Sequence, residues 1–174
     1  MKKRTTLVLL GIVSLLFSLW GCNKEFEPIV LSGNWDLDTN GVMVYIIYNP
    51  VVSADYPNTI KFLEKNLQKI RRELMKPQKI TFKAPNIVDF SYNDVPLPVR
   101  GNFTQKDGFF TIINPLFPDG IIGASDNIKL QLYYDYDRLM SILYLLLTDE
   151  DDPPAIYDEL IEKFEGVGSY RKSY

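Results

Sequence analysis

Apolar residues recur at three different spacings along this chain, and each spacing predicts a different kind of element. Val42 to Tyr48, VMVYIIY, is an unbroken β-branched and aromatic run that predicts a well-buried strand ended by Asn49-Pro50. From Pro57 the spacing changes to three and four: Ile60, Leu63, Leu67, Ile70 and Leu74 form one stripe, with proline suited to a first helical turn and Pro77 ending the helix. Lys61, Glu64, Lys65, Lys69, Arg72 and Glu73 cover the opposite face, so the helix is amphipathic. A narrow apolar stripe suits packing on a sheet better than lying in a membrane surface.

Beyond the helix the period is two. Ile80 and Phe82 alternate with lysine and threonine, and Val88, Phe90 and Tyr92 with Asp89, Ser91 and Asn93. Val99 to Phe103 and Phe109 to Ile113 flank Lys106-Asp107-Gly108, whose Asp-Gly pair supplies the positive-φ residues of a tight hairpin. Ile128, Leu130, Leu132 and Tyr134 alternate again, so five or six antiparallel strands are expected. Arg138 to Leu147 reads as a helix behind an Asp137 cap, with a buried strand as the alternative. After the acidic run Asp149 to Asp152, the positions Ile156, Leu160 and Phe164 predict a last helix stopped at Gly166, with Gly168 to Tyr174 as a short edge strand.

The amino-terminal pattern is of another kind. Lys2, Lys3 and Arg4 precede an apolar run from Leu7 to Trp20, too short for a comfortable membrane span of about 20 residues but suited to the core of a secretory signal. The run ends in Leu19-Trp20-Gly21-Cys22, which resembles the bacterial lipobox, although Trp20 is bulkier than the usual residue there. That resemblance implies a signal over 1–21 and a Cys22 that is lipidated on sulfur and acylated on its new amine. A cleaved soluble export signal or an uncleaved anchor helix is the plainer alternative. Several acyl chains hold a protein to a bilayer far better than one, because each buried methylene contributes about 0.8 kcal/mol. Residues 23–27, Asn-Lys-Glu-Phe-Glu, resemble the surface-export signal of Bacteroidota lipoproteins, while a charged, solvated tether explains the same composition. The expected address is the outer membrane, with exposure at the cell surface if that signal operates.

Cys22 is the single cysteine in the chain, so no disulfide can form within it and stability rests on packing. Loss of the three basic residues with the signal takes the formal charge from -3 to -6. A moderately acidic domain without a basic stripe is a poor partner for nucleic acid. Histidine is absent, which removes Ser-His-Asp and Cys-His catalysis and histidine zinc sites. Asp36-Leu37-Asp38-Thr39-Asn40-Gly41 matches the first half of a calcium loop, but the twelfth position is Ile47 where a bidentate acid belongs, and a polar turn explains the same residues. No metal, cofactor or catalytic residue is assigned, although paired-carboxylate hydrolysis needs only Asp and Glu.

Gly33-Asn34-Trp35 is similar to the G-x-W signature of lipocalins. With the lipobox and the antiparallel strands, it makes the chain resemble the lipocalin-like, calycin-type lipoproteins of Bacteroidota. The resemblance implies a structural Trp35 packed across the closed end of a barrel; the long helix after the first strand departs from that pattern. The fold class expected is α+β: a curved antiparallel sheet or partly open β-barrel (lipocalin-like) with one long and two shorter helices packed on it. Residues 1–21 are read as signal, 22–32 as lipidated tether and 33–174 as the domain. Two functions compete: a non-catalytic binding or accessory lipoprotein for a small apolar molecule, a glycan or an envelope protein, and a carboxylate-dependent hydrolase of envelope polysaccharide. Tyr45, Tyr48, Tyr133, Tyr134 and Tyr136 supply amphipathic rings for stacking on a ligand, although aromatic strand residues are more often core.

Replacing Cys22 with alanine in the full chain is expected to leave the protein unacylated and to release it from membranes or stall its processing. Intact-mass analysis of membrane-derived protein checks this, and an unmodified Cys22 in the parent chain refutes it.

Overall fold

Period-two patterning between residues 79 and 134 folds into consecutive antiparallel strands, each turning its apolar positions toward one core. The computed structural model describes residues 29–115, 117–146 and 157–174. The signal over 1–21, Cys22 and the acidic run 149–152 lie outside the described residues. The strands are β1 (Gly33–Leu37), β2 (Met43–Tyr48), β3 (Lys79–Lys83), β4 (Ile87–Tyr92), β5 (Val95–Lys106), β6 (Phe109–Asn114), β7 (Phe117–Ser125), β8 (Lys129–Tyr134) and β9 (Ile161–Lys172). The helices are α1 (Pro57–Leu74), α2 (Tyr136–Leu146) and α3 (Tyr157–Leu160).

Strands β3 to β9 pair in chain order, and β1 pairs with β3 on one side and β9 on the other, which closes an eight-stranded antiparallel barrel. A ninth strand, β2, continues past β1 along the same edge of β9, setting Met43 opposite Val167 and Tyr48 opposite Ile161. Its other edge has no strand partner among the described residues. There Arg71 of α1 reaches back, donating from Nε to the Val42 carbonyl at 3.0 Å and from Nη2 to the Thr39 carbonyl at 3.2 Å. The pairings define two ends. At the lower end lie the start of β1, the end of β9 and the β3–β4, β5–β6 and β7–β8 turns; the β6–β7 connection, the α2 start and the start of β9 lie at the upper end.

The barrel is filled by its own side chains. Trp35, Ile80, Phe82, Val88, Phe90, Phe110, Ile112, Leu130, Leu132 and Tyr170 are buried from the wall. Phe82 meets Phe103 and Phe110 edge to face, with ring centroids 4.9 and 5.8 Å apart, an arrangement favoured by the ring quadrupoles. Trp35 is wholly buried, opposite Ile80 on β3, with Lys172 Nζ 5.5 Å from its ring centroid. From the upper side α1 and α2 insert Leu63, Ile70, Leu74, Leu139 and Leu143. Leu74 and Leu139 converge over Gly166 of β9, where a Cβ would stand 3.0 and 3.3 Å from their methyl groups.

Several expectations need correction. Nine strands form where five or six were expected, because Gly- and Pro-containing β7 lacks an alternating apolar pattern and the first half of β9 reads as a helix. The run at 42–48 is not uniformly buried: Val42 is, but Met43, Tyr45 and Ile47 face solvent and alternate with half-buried Val44, Ile46 and Tyr48. The last predicted helix survives as the four residues of α3, and Phe164 belongs to β9, not to a helix. The physical reason is that Phe164, Gly166, Gly168 and Tyr170 turn inward at a spacing of two, and the glycines leave room that the helix leucines and the Tyr134 and Tyr170 rings occupy. Gly168 to Lys172 is accordingly not an edge strand but part of one paired on both sides. In α1 the buried face is Thr59, Leu63, Asn66, Ile70 and Leu74, a rotation that leaves Ile60 and Leu67 half-buried. In α2 the capping carboxylate is Asp135 rather than Asp137, accepting the Arg138 N–H at 3.0 Å.

The Asp107-Gly108 hairpin matches the expectation, with φ of 51° and 82° at its two central residues. A tighter constraint lies at Gly123 on β7, where a Cβ would stand 2.1 Å from the Phe110 ring and 2.6 Å from the Gln131 carbonyl. Gly123→Ala is expected to destabilise the domain by about 1–3 kcal/mol through overpacking, read as a lower urea midpoint with an unchanged slope.

Candidate functional site

Where β8 ends and β9 begins, the two strands extend past one another and α2 turns away between them. The result is a groove of about 1220 Å³ at the upper rim, lined by the start of β7, the end of β8, the first turns of α2, Asp158 of α3 and the first half of β9. Its outer shelf is apolar. Ile122, Tyr133 and Val167 stand side by side across β7, β8 and β9, and Met43 of β2 continues the row. Six carboxylates surround the shelf: Asp119, Asp135, Asp137, Asp158, Glu162 and Glu165, with Arg138 and Lys163 as the cations.

Three of the five candidate tyrosines meet here. Tyr133 is exposed, and its hydroxyl donates to Gln131 Oε1 at 3.3 Å. Tyr134 is buried and belongs to both the groove lining and the core; burial raises its phenol well above the ordinary range. Tyr136 packs edge to face on Phe164, with centroids 6.4 Å apart, and donates to Asp158 Oδ1 at 2.8 Å. Burial, and then the Asp158 carboxylate, push the Tyr136 phenol upward as well. Tyr45 of β2 is not part of the lining but touches two residues that are: its hydroxyl donates to Glu165 Oε2, and Lys163 Nζ lies 5.4 Å from its ring centroid and 3.1 Å from the same carboxylate oxygen. The Tyr45 hydroxyl, followed by Lys163, holds Glu165 below the usual carboxylate range. Tyr48 does not line the groove; its hydroxyl is buried without a partner, and burial reinforced by the Glu64 charge pushes its phenol up to about 12.

Glu165, Lys163, Asp135 and Asp158 were not singled out from sequence. The signal was present: read as a strand, 163 and 165 fall on one face beside Tyr45, but the helical reading of this segment separated them. The half calcium motif resolves differently. Asp38 accepts from Arg171 Nε at 2.9 Å and from the Asn40 N–H at 3.2 Å, so its oxygens serve a turn and an ion pair, and Arg171 chiefly lowers its pKa. Among the described residues no group of three or more His, Cys, Asp or Glu converges as metal ligands. A second groove, of about 620 Å³, lies between β1, the end of α1 and β3, and its lysines are already paired: Lys79 with Asp94 at 3.1 Å and Lys76 with Glu73.

Comparison with known proteins finds no matching family model, no matching curated protein and no matching solved structure. The chemistry of the site therefore rests on its geometry alone. An open shelf of rings and methyl groups edged by carboxylates presents stacking surface beside strong hydrogen-bond acceptors.

The buried phenols make an alkaline prediction. Folding holds the Tyr48 and Tyr157 protons to about pH 12, while the unfolded chain releases them near its ordinary value of 10.0. Their contribution is therefore complete below pH 10 and lost as pH rises through 12. Urea midpoints are expected to fall across that window, and Tyr48→Phe, which removes a partnerless buried hydroxyl, to reduce the fall with little loss of stability at neutral pH.

Proposed function

We propose that this protein is a membrane-anchored envelope lipoprotein of lipocalin-like architecture that binds a hydroxyl-rich ligand, a glycan, at the upper groove without turning it over. The observation that carries the reading is the union, in one groove, of an Ile122–Tyr133–Val167 shelf with the carboxylates of Asp135, Asp158 and Glu165. Sugars have apolar C–H faces that stack on such rings and hydroxyl rims that donate to such carboxylates. A small apolar ligand inside the barrel is less well supported, because Trp35, Phe164, Tyr170 and the α1 and α2 leucines occupy that volume. Anchoring rests on the lipobox resemblance at Cys22, and the lipocalin likeness on Gly33-Asn34-Trp35 together with closure of the barrel.

Hydrolysis is the competing use of the same carboxylates. Paired-carboxylate hydrolysis needs one acid raised in pKa so that it carries a proton near neutrality. Glu165 shifts the other way, held ionised by Tyr45 and Lys163. Glu165 is thereby suited to accept hydrogen bonds and not to serve as the proton donor of such a pair.

An array of defined neutral and N-acetylated oligosaccharides, probed with the full-length chain in detergent, tests the reading. Binding is expected to weaken by about five- to tenfold for Tyr133→Ala, the loss of one stacking ring, and to fall likewise for Asp158→Asn. Release of new reducing ends that disappears on changing a single groove carboxylate would replace the binder with a hydrolase. Retention of full affinity by both variants would remove the groove as the site.

A further inference from the structure

The end of the barrel opposite the groove has its own surface chemistry. Three large apolar side chains stand in solvent there: Val30, 59% exposed, just before β1; Phe109, 63% exposed, at the β5–β6 tip; and Ile128, 67% exposed, at the β7–β8 tip. Each is fixed by neighbouring structure. Gln105 accepts the Leu31 N–H at 2.9 Å and donates to the Ile29 carbonyl, Leu31 is buried, and Ile29 Cδ1 lies 3.0 Å from where a Gly108 Cβ would stand. Asp126 Oδ1 accepts the N–H groups of Ile128 at 3.1 Å and Lys129 at 2.6 Å, which sets the turn that presents Ile128. The tips are held together, since the Ser125 backbone N–H donates to the Gly108 carbonyl at 2.8 Å and the Lys172 backbone N–H to the Ile128 carbonyl at 3.0 Å. Tyr174 adds a fully exposed ring near the same end.

The length of the tether decides what this surface meets. Six residues lie between Cys22 and Ile29, and the seven steps of a stretched chain between them reach at most about 25 Å. From Lys172 at its lower end, strand β9 rises about 16 Å to Val167, where the groove begins. A lipid on Cys22 therefore keeps the lower end, where residues 29–31 are bound to Gln105 of β5, near the bilayer, with the groove toward the opposite end. Lys106 and Lys129 on the tips are offset by Asp107 and Asp126, so charge is close to balanced and contact depends on the apolar side chains.

We propose that the lower end of the barrel is a membrane-facing surface, with Val30, Phe109 and Ile128 seated in the headgroup and upper acyl region of the bilayer that anchors Cys22. This rests on the lipidation reading. It supplies a second attachment beside the acyl chains and directs the groove away from the membrane.

The test uses the full-length chain, its lipidation scored by intact mass, reconstituted into phosphatidylcholine–phosphatidylglycerol vesicles with brominated acyl chains. Phe109→Trp and Ile128→Trp are independent reporters in case one perturbs folding, and Tyr144→Trp on α2 is the control at the other end. After subtraction of the parent signal, brominated lipid is expected to quench about half or more of the emission at 109 and 128, little of that at 144, and equally in low and high salt. A lipidated protein with unquenched 109 and 128 overturns the proposed surface while leaving the anchor intact. Quenching at 109 and 128 in a chain whose Cys22 is unmodified upholds the surface and refutes the anchor. Strong quenching at 144 instead of 109 reverses the orientation and overturns the proposal.

Discussion

Strand β9 is the member on which the rest of the fold depends. A barrel exists only if its last strand has a partner on each edge, and β9 meets β8 along one side and β1 and then β2 along the other. Twelve residues are long enough to serve both. The inward positions of this strand govern the interior: glycine at 166 admits the leucines of α1 and α2, glycine at 168 admits the Tyr134 and Tyr170 rings, and Tyr170 fills the space below them. A larger residue at 166 would push the helix leucines outward and open the upper mouth.

The same strand forms the site. Because β9 begins well above the last residue of β8, Lys163 and Glu165 project beside Tyr45 of β2 and across from Asp135 and Tyr136, where α2 leaves the barrel. The interior is packed with apolar side chains while polarity and aromatic surface collect at the rim. This division leaves open surface at the mouth and little unfilled space within the barrel.

How much of this was legible in the sequence follows from which forces were local. The Asp107-Gly108 hairpin, the alternating strands β3 to β6 and β8, and the helix from Pro57 were readable, because turn stereochemistry and apolar spacing are properties of short segments. The identity of β9 was not. Leu160 and Phe164 are four apart and imitate a helix, and only the inward space at Gly166, filled by Leu74 and Leu139 from more than 25 residues away, shows why the chain extends there. The rotation of α1 that buries Asn66 also depends on where the barrel mouth lies. Of the candidate tyrosines, residue type marked all five, yet the groove is defined by the neighbours of Tyr133, Tyr134 and Tyr136, and those are brought together by topology.

One further consequence comes from β2. The segment Met43-Val44-Tyr45-Ile46-Ile47-Tyr48 carries no charge, no proline and no glycine, and one of its edges lacks a strand partner among the described residues, although natural edge strands usually carry such guards against intermolecular pairing. Arg71 of α1, clasping the carbonyls of Thr39 and Val42, stands at the start of that edge in their place. As long as helix α1 remains docked, Arg71 occupies the entry to an edge whose strand has the composition of a steric zipper.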